Sequence, residues 1–105
     1  MGFLIRKPKH YLCAMNTKHH SNNILLNFGI ERLNDMQEVA QDAILNDNNI
    51  LLLSPTGSGK TLAFLLPIFE LLQPEILSVQ CLILVPSREL GLQIEQVWKK
   101  MGTDY

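Results

Sequence analysis

The sequence lacks the features that mark several broad classes of protein. No uninterrupted apolar run approaches the roughly 20 residues that a membrane-spanning helix needs, because Pro67 and Glu70 interrupt the most apolar segment, residues 62–72. There is no repeat and no low-complexity segment, and the two cysteines, Cys13 and Cys81, fit no metal-ligand spacing. These absences leave a globular domain of 105 residues with 47% hydrophobic content and no expected membrane association. Cys81 lies in an apolar run, which predicts a buried, reduced thiol in a cytoplasmic protein, with a nuclear or organellar location left open.

Acidic residues are also missing from the first 30 positions. That stretch carries four basic residues and no acid, whereas residues 31–105 carry five basic and ten acidic residues, so the net charge of −1 conceals an asymmetry. A basic leader is typical of nucleic-acid contact or of an organelle presequence, and it is equally consistent with a solvated tail. We favour the solvated tail and predict a flexible leader over residues 1–21 and a folded domain over residues 22–105.

Residues 54–61 follow a short apolar run at residues 50–53 and precede an apolar helical stretch, and they have the pattern of a phosphate-binding loop. Glycines at the fourth and sixth positions of the loop allow its backbone to fold around a polyphosphate and to point successive N–H groups at the phosphate oxygens. The N-terminus of the following helix adds the positive end of its dipole. The predicted nucleotide-binding residues are Ser54, Pro55, Thr56, Gly57, Ser58, Gly59, Lys60 and Thr61.

Two residues of this loop are predicted to take part in the chemistry. Lys60 places a mobile positive charge where the β- and γ-phosphates would lie, and the Thr61 hydroxyl is placed to bind Mg²⁺. The loop departs from the usual pattern at its first position, where Ser54 replaces glycine. An ordinary strand-to-helix turn is the alternative interpretation. The adjacent lysine and hydroxyl, together with the flanking apolar segments, favour nucleotide binding, and the expected ligands are ATP and Mg²⁺.

The remaining pattern predicts alternating helices and strands. Helices are expected at residues 22–27, 34–46, 60–72 and 88–101, and strands buried on both faces at residues 50–53 and 79–85. Gly29 is expected to end the first helix, and Asn34 to cap the start of the second. Strands that alternate with helices favour parallel pairing through right-handed crossovers, which is an α/β fold. Because two strands do not complete such a sheet, we expect the N-terminal part of a larger domain that self-associates through its open edge when isolated.

Three segments together resemble the first RecA-like domain of DEAD-box helicases of superfamily 2, over about residues 25–101. Residues 54–61 are similar to motif I, residues 86–93 (Pro-Ser-Arg-Glu-Leu-Gly-Leu-Gln) to motif Ia, and residues 29–37 to the Q motif that recognises adenine. The resemblance implies an incomplete RecA-like P-loop domain, with parallel strands and crossover helices preceded by N-terminal helices. It also implies single-stranded or duplex RNA as a partner, with DNA not excluded, contacted through Pro86, Ser87, Arg88 and Glu89.

Gln37 has two interpretations that the sequence leaves open. Asn34 and Gln37 have the spacing of a capping box, in which Gln37 folds back onto the helix start. In the family, the matching glutamine uses its amide as donor and acceptor toward adenine. Candidates for the upstream aromatic residue that stacks on adenine in the family are Tyr11 and Phe28.

The sequence lacks the Asp-Glu-Ala-Asp motif, the Ser-Ala-Thr segment and the second RecA-like domain that the family uses for hydrolysis and unwinding. The resemblance therefore predicts a truncated ATP-dependent RNA helicase that binds nucleotide and RNA but does not turn over ATP alone. Two alternatives are a non-catalytic module that binds RNA or a partner with a dominant-negative effect, and a P-loop ATPase that is not a helicase.

Overall fold

Four helices and two short strands make up the part of the chain that the computed structural model describes, residues 4–6, 18–47 and 49–102. In chain order they are β1 (Leu4–Arg6), α1 (Lys18–Asn27), α2 (Asp35–Asn46), β2 (Asn49–Leu51), α3 (Lys60–Leu71) and α4 (Arg88–Lys100). No helix of this described part is both long and apolar enough to cross a membrane.

Helix α3 is the centre of the core. Every residue from 62 to 68 in this helix is buried, including Pro67, which lacks the N–H of a helical hydrogen bond. Helix α2 contributes Ala40 and Ile44 to the core, and α4 contributes Ile94 and its C-cap residue Met101. A helix that is apolar on all sides needs packing partners around its whole circumference. This requirement explains why α3, which comes directly after the phosphate loop in the sequence, lies in the interior.

Helix α1 belongs to the same core. Ile24 and Leu25 are buried, and the Asn27 side-chain amide donates to the carbonyl oxygen of Met101 at 3.1 Å. The helix ends at the expected glycine: Gly29 has a φ of 66°, and the N–H of Ile30 donates to the carbonyl oxygen of Leu25 in a Schellman cap.

The predicted boundary between leader and domain, at residues 21 and 22, lies within this helix. Helix α1 begins at Lys18, four residues before the predicted start, and Leu4–Arg6 forms β1. Residues 1–3 and 7–17 of the predicted flexible leader lie outside the described residues, so their predicted flexibility stays a prediction.

The predicted parallel sheet is not what the described residues form. Strand β2 pairs antiparallel with β1, with Ile5 opposite Ile50, and residues 79–85 belong to no strand ladder. The apolar runs at residues 50–53 and 79–85 indicated burial, but such runs do not specify a pairing partner. The contribution of the leader to the sheet had no signal in the hydrophobic pattern.

The burial predicted for both faces of these two segments is also wrong. Ile83 and Val85 pack against the core, whereas four leucines stand in solvent: Leu51 is 68% exposed, Leu53 71%, Leu82 77% and Leu84 82%. We call these four side chains the exposed leucines. Helices cover one side of each segment and nothing in the described residues covers the other, so the exposed leucines are candidates for further association.

The remaining predictions for the helices are largely confirmed. The helical spacing of Leu90, Ile94 and Met101 predicts one apolar face for α4. Ile94 and the C-cap residue Met101 are indeed buried, and Trp98 packs against the core. In α2, the helical spacing of Val39 with Ala40 and Ile44 predicts that all three face the core, but Val39 is 70% exposed, and Gln37 is buried instead. Cys81 was predicted to be buried but is exposed as a residue. Its thiol still borders an apolar groove with Ile68, Leu72 and Trp98, and the resulting desolvation raises the pKa of that thiol.

Candidate functional site

The loop between β2 and α3 depends on two glycines in the left-handed region. Gly57 has a φ of 79° and Gly59 a φ of 86°, values that side-chain-bearing residues adopt only with strain. Gly59 is also the N-cap of α3, and it supplies no side-chain hydrogen bond to the first turn. The first N–H groups of α3 therefore have no side-chain cap at Gly59, which is the arrangement that lets a helix N-terminus bind an anion.

Lys60 lies at the start of α3 and turns back across the loop. Its side chain is 8% exposed, and its Nζ donates a hydrogen bond to the carbonyl oxygen of Ser54. Among the residues that the structure describes, no carboxylate forms an ion pair with Lys60. The ammonium is thus held beside the loop by a neutral acceptor, which leaves its charge available to an anion.

Hydroxyl groups inside the loop form a short hydrogen-bonded series. The oxygens of the Ser54 and Ser58 hydroxyl groups are 2.6 Å apart, and Ser58 Oγ donates to the carbonyl oxygen of Pro55 at 2.6 Å. Thr56 and Gly57 are exposed at the tip of the loop, and Thr61 is half-buried in the first turn of α3. The eight predicted nucleotide-binding residues therefore lie on one continuous turn into α3.

The start of α2 is fastened to this loop by two side chains. Asn34 and Gln37 form a complete capping box, in which Asn34 Oδ1 accepts from the Gln37 N–H at 2.9 Å and Gln37 Oε1 accepts from the Asn34 N–H at 3.0 Å. The same two amides donate to the loop: Asn34 Nδ2 to the carbonyl oxygen of Ser58 at 3.2 Å, and Gln37 Nε2 to that of Gly59 at 3.2 Å. Gln37 is only 5% exposed. The capping interpretation is confirmed, and Gln37 also contacts the phosphate loop.

Of the two aromatic candidates for stacking on a base, the one that the structure describes is not placed at this loop. Phe28 packs against the core, and Lys100 Nζ lies 5.0 Å from the centroid of its ring. This cation–π contact joins the end of α1 to the C-terminal end of α4. Tyr11, the other candidate, lies outside the described residues.

The predicted RNA-contacting turn lies at the N-terminus of α4. The Ser87 side chain caps this helix by accepting from the N–H of Leu90 at 3.3 Å, and Pro86, Arg88 and Glu89 are exposed. Within the described part of the chain Arg88 makes no ion pair, and Glu95 on the same helix pairs with Lys99 at 2.6 Å. The turn therefore offers an uncommitted guanidinium next to a helix N-terminus, two groups that bind phosphate oxygens.

A comparison with known protein families gives a match that includes both the loop and the turn. The family model described as DEAD/DEAH box helicase matches residues 34–105, which include Gln37, the phosphate loop and the whole of α4. The chain belongs to the DEAD/DEAH box helicase family. A RecA-like fold follows from membership of this family. No solved structure matches the chain at a significant level.

Curated relatives carry the same description. The chain is 43% identical over 74 residues to the ATP-dependent RNA helicase DHH1 of Gibberella zeae, a match that covers 70% of this chain and 14% of that protein. It is 45% identical over 74 residues to the probable ATP-dependent RNA helicase YfmL of Bacillus subtilis (68% and 20%). It is 40% identical over 78 residues to the DEAD-box ATP-dependent RNA helicase CshC of Bacillus cereus (72% and 20%). The chain spans about a seventh to a fifth of the length of these relatives.

Sequence patterns identified the loop, the cap and the turn, but not the contacts between them. The donation from Asn34 Nδ2 to Ser58 joins residues 24 positions apart, and that from Gln37 Nε2 to Gly59 joins residues 22 positions apart. The capping-box spacing shows that these side chains stay near the start of α2. The packing of α2 on α3 decides which part of the loop they meet.

Proposed function

We propose that this chain binds ATP and Mg²⁺ through residues 54–61, as the N-terminal part of the RecA-like ATP-binding domain of an ATP-dependent RNA helicase. The single observation that carries the proposal is the Lys60 ammonium, buried at the start of α3 with a backbone carbonyl as its only partner among the described residues. A phosphate oxygen is a stronger acceptor than a neutral carbonyl, so a polyphosphate would displace Ser54 from Lys60.

The other residues of the loop have complementary roles in this proposal. The backbone N–H groups of residues 56–60 would surround the phosphates, and the Thr61 hydroxyl would supply one oxygen ligand to Mg²⁺. In the described residues no group of three or more His, Cys, Asp or Glu side chains is placed to hold a metal ion by itself. The nucleotide's own oxygens and water would therefore complete the coordination of Mg²⁺, as is usual for this ion.

We further propose that single-stranded or duplex RNA is contacted through Pro86, Ser87, Arg88 and Glu89. Exposure of the turn, the unpaired Arg88 guanidinium and the N-terminus of α4 support this role. Such contacts reach phosphates and sugars and not base edges, so DNA remains a second possible ligand for the experiment to distinguish. Hydrolysis and unwinding would need the remainder of the helicase core, and we propose that this chain alone is inactive in both. We also propose a cytoplasmic location.

A lysine substitution tests the nucleotide site. Lys60→Ala removes the phosphate-facing ammonium, and we expect the affinity for ADP, measured by calorimetry, to fall by about 10- to 100-fold, which corresponds to one charge-assisted hydrogen bond. Lys99→Ala is the matched control, because Lys99 is an exposed lysine whose partner is Glu95 on the surface of α4. Unchanged ADP affinity in a folded Lys60→Ala variant would refute the site.

A further inference from the structure

The direction of the hydrogen bonds inside the phosphate loop follows from the number of hydroxyl protons. Ser58 Oγ has one hydrogen, and it must donate that hydrogen to the Pro55 carbonyl oxygen, since a carbonyl cannot donate. In the contact of 2.6 Å between the two serines, Ser54 is therefore the donor and Ser58 the acceptor. The result is a series that runs from the Ser54 hydroxyl through the Ser58 hydroxyl to Pro55.

Ser54 also holds the loop through its backbone. Its carbonyl oxygen accepts from Lys60 Nζ, so Ser54 forms hydrogen bonds with both the Lys60 ammonium and the Ser58 hydroxyl. Ser54 lies at the beginning of the loop, whereas Ser58 and Lys60 lie near its end. The two contacts therefore join the two ends of the loop for which we propose polyphosphate binding.

The hydroxyl contact depends on the residue type at position 54. The carbonyl contact to Lys60 can form with any residue there, because it uses the backbone. The contact to Ser58 needs a side-chain hydroxyl, which glycine, the usual residue at the first position of a phosphate loop, does not have. In the described part of the chain, the Ser54 hydroxyl makes no other hydrogen bond.

We propose that Ser54 is a positioning residue that holds the phosphate loop closed and so sets the association rate and the affinity with which the loop binds a nucleoside polyphosphate. The proposal depends on the nucleotide-binding function proposed above. A ligand that needs the open loop binds with an apparent affinity reduced by the fraction of molecules in the open form. The Ser54–Ser58 contact lowers that fraction, since it exists only in the closed form.

Stopped-flow binding of a fluorescent ADP analogue to the full chain tests this role. Ser54→Ala removes the hydroxyl donor but keeps the Lys60 contact and leaves Ser58 bonded to Pro55. We expect the association rate constant to rise by about three- to tenfold, the equivalent of one neutral hydrogen bond, and the dissociation rate constant to stay within about twofold. Ser54→Gly should give the same acceleration, and Ser78→Ala, which changes an exposed serine outside the loop, should give none.

Ser58→Ala tests the same contact from its acceptor side. In the double variant Ser54→Ala/Ser58→Ala, the association rate constant should exceed that of Ser58→Ala alone by less than about 1.5-fold, because the two hydroxyls belong to one series. Association that is unchanged or slower in both Ser54→Ala and Ser54→Gly would overturn the proposal, as would a fully additive double variant. If the unsubstituted chain binds no ADP, the nucleotide-binding function itself fails, and that result is distinct from a bound nucleotide whose kinetics ignore Ser54.

Discussion

The side-chain amide of Gln37 donates a hydrogen bond of 3.2 Å to the carbonyl oxygen of Gly59, the last loop residue before α3. The same oxygen accepts from the N–H of Ala63 at 3.1 Å, so both of its lone pairs are used. One carbonyl thus joins the start of α2, the phosphate loop and the first turn of α3. The geometry of the loop depends on α2 as well as on its own glycines.

Substitution of the two loop glycines should separate backbone strain from this contact. A Cβ at Gly59 would lie 2.5 Å from Gln37 Nε2, whereas a Cβ at Gly57 would meet no atom within 4 Å. We expect Gly57→Ala to lower the free energy of unfolding by about 1–2 kcal/mol through its positive φ, and Gly59→Ala by about 1 kcal/mol more. Urea unfolding measures both values.

The additional loss in Gly59→Ala should disappear in a Gln37→Ala background, when Gln37→Ala/Gly59→Ala is compared with Gln37→Ala alone. In that background the clash and the hydrogen bond no longer exist. Equal losses in the two single glycine variants would show that Gln37 exerts no constraint on the loop.

Gln37→Ala tests whether the amide also recognises adenine. With the capping and loop contacts made, Gln37 Oε1 keeps one lone pair and Nε2 one hydrogen, which are the acceptor and the donor that adenine requires. We expect Gln37→Ala to weaken ADP binding by about tenfold more than GDP binding in calorimetry. Gln41→Ala is the control, since Gln41 lies on α2 and bonds to Glu70, not to the loop. Equal losses for ADP and GDP would show that Gln37 caps α2 and bonds to the loop but does not recognise adenine.

Arg88→Ala tests the proposed nucleic-acid contact. Removal of one phosphate-binding guanidinium should weaken binding of single-stranded RNA and reduce the slope of log K against log salt concentration by about 0.7. Fluorescence anisotropy over a salt series with RNA and DNA oligonucleotides provides the measurement. Arg32→Ala, which removes an exposed arginine between α1 and α2, should leave the slope unchanged. A salt slope that is the same in Arg88→Ala as in the original chain would place the contact elsewhere.

The exposed leucines should promote self-association of the isolated chain. Leu82→Lys/Leu84→Lys replaces two of these side chains by charges, and we expect sedimentation velocity to show a smaller average mass than for the original chain at equal concentration. Gln93→Lys/Gln96→Lys adds the same charge at exposed positions of α4 and should leave association unchanged. A monomeric original chain at high concentration would contradict association through these leucines.

The raised pKa of Cys81 predicts a loss of stability at alkaline pH. Desolvation keeps the folded thiol protonated, so above the ordinary thiol pKa of about 8.5 the unfolded chain releases its proton first. The free energy of unfolding of a Cys13→Ser variant should therefore fall as pH rises from 8 until the folded thiol ionises, and it should not change for this reason at lower pH. Urea unfolding of Cys13→Ser and Cys13→Ser/Cys81→Ala across this range isolates the effect, because the second variant lacks the thiol.

Local features of the chain were predictable because their partners lie a few residues away. The Asn34 cap, the Gly29 helix end and the start of α3 all depend on backbone groups within about one helical turn. The order of glycines, lysine and threonine in the phosphate loop likewise carries its own chemical meaning. The family assignment made from these segments is confirmed.

The tertiary structure decided the features that join distant residues. The sequence alone determined helix ends, the loop and the amphipathic face of α4, because hydrogen-bonding capacity and periodicity are local properties. Only the packed chain decided that β2 pairs with β1, that Val39 is exposed while Gln37 is buried, and that Gln37 meets Gly59. The physical reason is that apolar runs and capping boxes specify burial and local geometry, whereas partners depend on how whole helices and strands pack.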